Sequence, residues 1–243
     1  METNDFDNPA KRLLAVLQAG RKIGGEQQCR AVWHQLLAST GNEALLMSRL
    51  GKLMTLPGEI HQAYVRHYPT QGPTWAHWYQ QVNHAFMTQQ LSANWQTFIG
   101  SIDDHTLTYL GMTADLLSGK EYVATLPADK VEALRNDVSE LLRETRASDL
   151  EPKVKDAIAR HLQRLLIALE EYSLTGALPV LDAVEAGIGH LAFDSNYKQA
   201  LSDTDIGQRF VNVLTAAASI VTVVVGLPQL PASFHAAVKL LGG

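Results

Sequence analysis

The sequence predicts an all-α protein, a multi-helix bundle in two helical subdomains that ends in an apolar helical hairpin. Apolar residues recur at three- and four-residue intervals along most of the chain, the period of a half-buried helix. Capping residues stand before these stretches, and glycine or proline stands after them. Only Ile220-Val221-Thr222-Val223-Val224-Val225 has the β-branched density of a strand. One isolated strand has nothing to pair with, so that run is read as buried helix.

Asp7-Asn8-Pro9 reads as a cap with proline in the first turn, and the helix it starts stops before Gly24-Gly25. A second helix is expected over Glu26 to Ala38, carrying Cys29, Val32, Trp33, Leu36 and Leu37. Asn42 caps a third, from Glu43 to Met54; Thr55-Leu56-Pro57 restarts the pattern and Tyr68-Pro69 ends it. Pro73 opens a helix running to about Thr88, Ser92 caps a short one to Ile99, and Asp103-Asp104 leads one ending near Gly119.

Thr125-Leu126-Pro127 precedes a helix with Val131, Leu134, Val138 and Leu141 on one stripe. Ser148, Asp149 and Pro152 start the most regular helix, with Val154, Ile158, Leu162, Leu165, Leu169 and Tyr172 inside and Gly176 ending it. A helix from Pro179 to Phe193 follows, and Asp203 or Thr204 caps the last long element. All four tryptophans (Trp33, Trp75, Trp78 and Trp95) precede a soft boundary between Gly119 and Leu126. The expected subdomains are therefore 1–120, rich in aromatic residues and histidine, and 121–243, a regular amphipathic bundle.

A chain of 243 residues with 46% hydrophobic and 19% charged residues can bury a substantial core. Its formal net charge of -5 argues against general nucleic-acid binding, which needs clustered Lys and Arg. A single cysteine, Cys29, makes no internal disulfide. The first residues are acidic and lack an apolar core, so no signal peptide is expected and the chain is assigned to the cytoplasm.

Phe210 to Phe234 carries no ionisable side chain. Its apolar heart includes Val213, Leu214, Ile220, Val221, Val224 and Leu227, and it approaches the roughly 20 residues a membrane span needs. Three readings stay open: a constitutive span, the central helix of a bundle, and a sheltered segment that enters a membrane or meets a partner on activation. Asn212, Thr215, Ser219 and Thr222 share one side, and flanking charge is sparse, which favours burial against protein. Pro228 and Pro231 then turn the chain toward a short second arm.

The segment Tyr64 to Trp95 gathers Tyr64, Tyr68, Trp75, Trp78, Tyr79 and Trp95, and Thr74 to Ala93 contains no Asp, Glu, Lys or Arg. A Trp/Tyr surface poor in charge has the composition of a partner-binding hot spot, and the competing reading is an aromatic core. Six of the nine histidines precede residue 106, but none of their spacings is that of ligands on one helix. A metal site would need side chains such as Glu59, His61, Asp104 and His105 from separate helices; no metal and no cofactor is expected. Nucleophile elbows, phosphate loops and dinucleotide fingerprints are missing, and Cys29 and His34 are badly spaced for a nucleophilic pair.

From Leu150 to Leu191 the chain gives a helix, then Glu171-Tyr172-Ser173-Leu174-Thr175-Gly176, then a helix with Gly187 and Gly189, then a nearly uncharged tail. This pattern is similar to that of helical proteins in bacterial anti-phage defence islands. The resemblance covers about a third of the chain, carries no catalytic motif, and implies an accessory, sensor or effector role in a multi-component system. The leading expectation is thus a non-enzymatic interaction protein with a protein partner or a second copy of itself. One alternative is a membrane-active effector that inserts residues 210–234 on activation. Another is a metal-dependent helical enzyme.

Overall fold

The computed structural model describes residues 7–70, 73, 75–120, 125–190 and 194–225, with backbone alone for 222–225. Twelve helices and no strand occur among the described residues. The chain forms two compact units, Phe6–Tyr122 and a second from Val123 onward.

The first unit contains α1 (Pro9–Arg21), α2 (Cys29–Leu36), α3 (Glu43–His67), α4 (Ala76–Thr88), α5 (Gln96–Ile99) and α6 (Asp104–Leu117). Asn8, Asn42 and Asp103 cap α1, α3 and α6, each accepting a backbone N–H from three residues on. Asn8 also donates its amide to Ala114 O at 3.1 Å, tying the head of α1 to α6. α1 packs on α6 and α3, and α4 packs on α6.

Two expectations change here. The break expected at Pro57 does not occur: α3 is one helix of 25 residues with Pro57 inside it. An interior proline costs about 3 kcal/mol, and the burial of Leu53, Leu56 and Ile60 around it outweighs that cost. The second helix starts at Cys29 rather than Glu26, because Gly25 to Cys29 pairs its backbone with Leu91 to Gln96. Trp95 N donates to Gln27 O at 2.6 Å, and Cys29 N to Ala93 O at 2.9 Å. Backbone groups committed to a neighbouring segment are lost to a helical turn.

The second unit contains α7 (Ala128–Ala147), α8 (Pro152–Glu170), α9 (Tyr172–Thr175), α10 (Leu178–Gly189), α11 (Ser195–Asp203) and α12 (Asp205–Val225). α8 lies against α7 and α10, and α12 lies against α7, α10 and α11. Gly207 allows the sharp passage from α11 to α12, since a Cβ there would lie 2.2 Å from Ala200 O. The sequence reading missed α11, whose start is fixed by Asp194 accepting from Asn196 N and Tyr197 N, each at 3.0 Å. It also carried α8 through to Gly176, where the chain instead ends α8 at Glu170 and makes the single turn α9. The run Ile220 to Val225 is helical, within α12. Phe193, Pro228, Pro231 and the second arm of the expected hairpin lie outside the described residues.

Candidate functional site

The six aromatic residues singled out above divide into core and margin. Tyr64, Trp78 and Trp95 are fully buried in the first unit, so as placed they form no recognition surface. Their polar ends are satisfied inside it: Trp95 Nε1 donates to Gly20 O at 3.0 Å, and Trp78 Nε1 to Thr113 Oγ1 at 3.1 Å. Trp33 packs edge-to-face against Trp95 at 4.9 Å and donates to Gln89 Oε1 at 2.7 Å.

Tyr68, Trp75 and Tyr79 are half-buried. Tyr68 donates its hydroxyl to Leu116 O at 2.6 Å. Trp75 and Tyr79 gather around His61 of α3, with ring centres 4.1 and 5.4 Å from the imidazole. Flat rings at the edge of a helix leave apolar faces available for contact at little entropic cost.

The helix that holds His61 carries the more informative surface. Met47, Gly51, Met54, Gly58, Gln62 and Val65 follow one another at intervals of three or four, so they share one face of α3. Met47, Met54 and Val65 are 41%, 39% and 46% exposed, high for large apolar side chains in a helix that otherwise buries its apolar residues. Of the charged residues of α3, Arg49 is buried, Lys52 and Glu59 lie further round the helix, and Glu43 and Arg66 stand at the two ends of this row, four residues before Met47 and four after Gln62. A Cβ added at Gly51 or Gly58 would meet no atom within 4 Å. Each interior glycine costs about 0.5–1 kcal/mol relative to alanine, and among the described residues nothing packed against these two requires it. The face is flat at the glycines, soft at the methionines and bordered by His61, Trp75 and Tyr79. Sequence reasoning missed it, although Met-x3-Gly-x2-Met-x3-Gly was legible as a helical repeat.

The outer face of α6 also exposes Tyr109, Met112 and Leu116, but interleaves them with Asp104, Thr108 and Asp115. At its head, His77 Nε2 lies 3.2 Å from both carboxylate oxygens of Asp103. Hydrogen bonding from Thr106 and then His77 holds the Asp103 carboxyl down at about 2. Asp103 therefore works as the charged cap of α6. His105 lies against His77 and Tyr109, whereas His61 lies against Trp75 and Tyr79. Among the described residues no group of three His, Cys, Asp or Glu is placed to hold a metal ion. Cys29 is buried, and burial pushes its thiol up. His34 turns instead to Ser39, its Nδ1 lying 2.8 Å from the Ser39 carbonyl oxygen.

In α12, Leu214 and Val221 are buried in the core of the second unit, and Val213 and Ile220 are partly buried against it. Thr215 donates to Val211 O at 2.8 Å, satisfying its hydroxyl on the helix backbone. The Val224 side chain and Leu227 lie outside the described residues. No helix among the described residues is long and apolar enough to cross a membrane.

No protein-family profile, no curated protein and no solved structure matches this chain.

Proposed function

We propose that this protein is a helical interaction component and that the Met47–Val65 face of α3 receives an amphipathic helix from a protein partner. The observation that carries the reading is the uncharged exposed face with two glycines whose Cβ positions are open. Glycine lets a second backbone approach closely, and methionine adapts to whatever packs on it. Helix-in-groove recognition needs such a row of anchors at helical spacing. Half-buried Trp75 and Tyr79 extend the face at one edge. A docking role of this kind suits the accessory part in a bacterial defence system that the Leu150–Leu191 resemblance implies.

The test is in-cell photo-crosslinking in the native host, with a photoreactive amino acid in place of Met54. A discrete adduct is expected, lost on Gly58→Arg and not formed when the probe replaces Met112 on α6. A partner of different mass and a second copy of this chain are distinguished by the size of the adduct. No adduct from Met54, or the same adducts from both positions, would overturn the reading.

A further inference from the structure

The second unit carries an open groove of about 750 Å³ lined by the end of α7, the first half of α8, and His190 and Asp194. Its lining reverses the sign of the whole chain. Arg146, Lys153, Lys155 and Arg160 face two carboxylates, Asp156 and Asp194, in a protein of net charge -5. One of those carboxylates is already occupied: Asp194 caps α11 and lies 3.7 Å from His190 Nε2. Among the described residues, no carboxylate lies within ion-pair distance of Lys153, Lys155 or Arg160. Arg146 is steadied by Gln163, to whose Oε1 it donates at 3.1 Å.

Two further features bear on the charge here. Glu151 precedes α8 at its N-cap position but makes no side-chain cap bond, accepting instead from Asn196 Nδ2 at 3.4 Å, and Lys153 stands in a first turn with no acidic residue. A cation at a helix N-terminus opposes the dipole, where an anion would be stabilised. Behind the groove wall, next in sequence to Arg160, lies His161, 5.3 Å from His190. Its imidazolium is disfavoured first by burial and then by His190, Arg160 and Arg164, so it registers the same positive field.

We propose that this groove binds a small molecule carrying two or more phosphate groups. Clustered guanidinium and ammonium groups match the charge and the acceptor geometry of phosphates. The volume lies in the range of small-ligand sites. Ala157 and Ala159 are the apolar lining residues, which gives a lipid tail nothing to hold. Four cations line this one groove, and the chain's net charge of -5 opposes the general phosphate-backbone binding that a nucleic acid would need.

Calorimetric titration of the full chain with sodium pyrophosphate tests this. One saturable site is expected, weakened at least tenfold by Arg160→Ala and by Lys153→Ala. Arg143→Ala, at an exposed arginine of α7 paired with Glu140 and outside the groove, leaves it unchanged. Each substituted side chain is exposed, so thermal melts are expected to match the parent and show that loss of binding is not loss of fold. An absence of saturable heat, or equal weakening by Arg143→Ala, would overturn the proposal. So would co-sedimentation with phosphatidylglycerol vesicles that pyrophosphate does not compete away.

Discussion

The imidazoles of His161 and His190 lie 5.3 Å apart, edge to face, and both ring nitrogens of His161 are buried with no hydrogen-bond partner among the described residues. Tyr197 and Phe210 close the site, at 6.0 and 6.5 Å from the His161 ring. Tyr197 is itself held protonated by burial. Arg160, Arg164 and His190 are the charged or titratable neighbours of the ring; the two arginines offer no acceptor to an imidazolium, and among the described residues no hydrogen bond joins the His190 ring to it.

A pH dependence follows. Burial, aided by His190, Arg160 and Arg164, lowers His161 from 6.5 to about 4. The folded protein therefore keeps the ring neutral where the unfolded chain begins to take up a proton. Stability is full above 6.5 and falls as pH drops toward 4, by up to about 3 kcal/mol. Below that point both states are protonated and this loss stops growing. Asp103 titrates lower, between 3.8 and about 2, and leaves this window alone. Urea unfolding of the second unit at about pH 7 and about pH 4.5 reads the effect. His161→Phe is expected to remove most of the difference.

The first unit depends on a close approach. A Cβ at Gly20 would lie 2.9 Å from Trp95 Cζ2, while the Trp95 indole must still reach Gly20 O. Gly20→Ala is expected to displace Trp95 from its packing on Trp33 and Phe98, at a cost of about 1–3 kcal/mol. A weakened near-ultraviolet circular dichroism signal and an earlier urea midpoint are the readouts.

Gly51→Ala and Gly58→Ala have the opposite sign for stability. With open space at both Cβ positions, each replacement adds helix propensity without a clash, about 0.5–1 kcal/mol of stabilisation apiece. Urea midpoints that rise for both variants check this. A fall would mean that the glycines serve a contact inside the protein.

Val221→Asp places a carboxylate in the core of the second unit, where Val221 is 1% exposed. A loss of several kcal/mol is expected, enough to unfold that unit. All four tryptophans belong to the first unit, so their fluorescence transition is expected to persist while helicity measured by circular dichroism drops.

The helical fold was legible because its signals are local. Asn8, Asn42 and Asp103 announce helix starts, and the period of Val154, Ile158, Leu162 and Leu165 announces a buried stripe. What was not legible depends on tertiary partners. Pro57 breaks a helix in isolation, and only the packing of Leu53, Leu56 and Ile60 carries α3 through it. Glu26 to Gln28 was read as helix because its pairing partner, Leu91 to Gln96, is remote in sequence. The aromatic residues marked composition without side: Trp78 and Trp95 turn inward and Trp75 does not, and composition holds no such information. The α3 face was hidden because methionine and glycine at helical spacing look like core or like nothing until exposure is known.

The most direct test of the α3 docking face is the double variant Gly51→Leu/Gly58→Leu, studied with the photoreactive probe in place of Met54. The account predicts a protein that folds at least as stably as its parent and no longer forms the crosslinked adduct, because two leucines now occupy the space a partner helix needs. A folded double variant that still forms the same adduct at the same yield would contradict it.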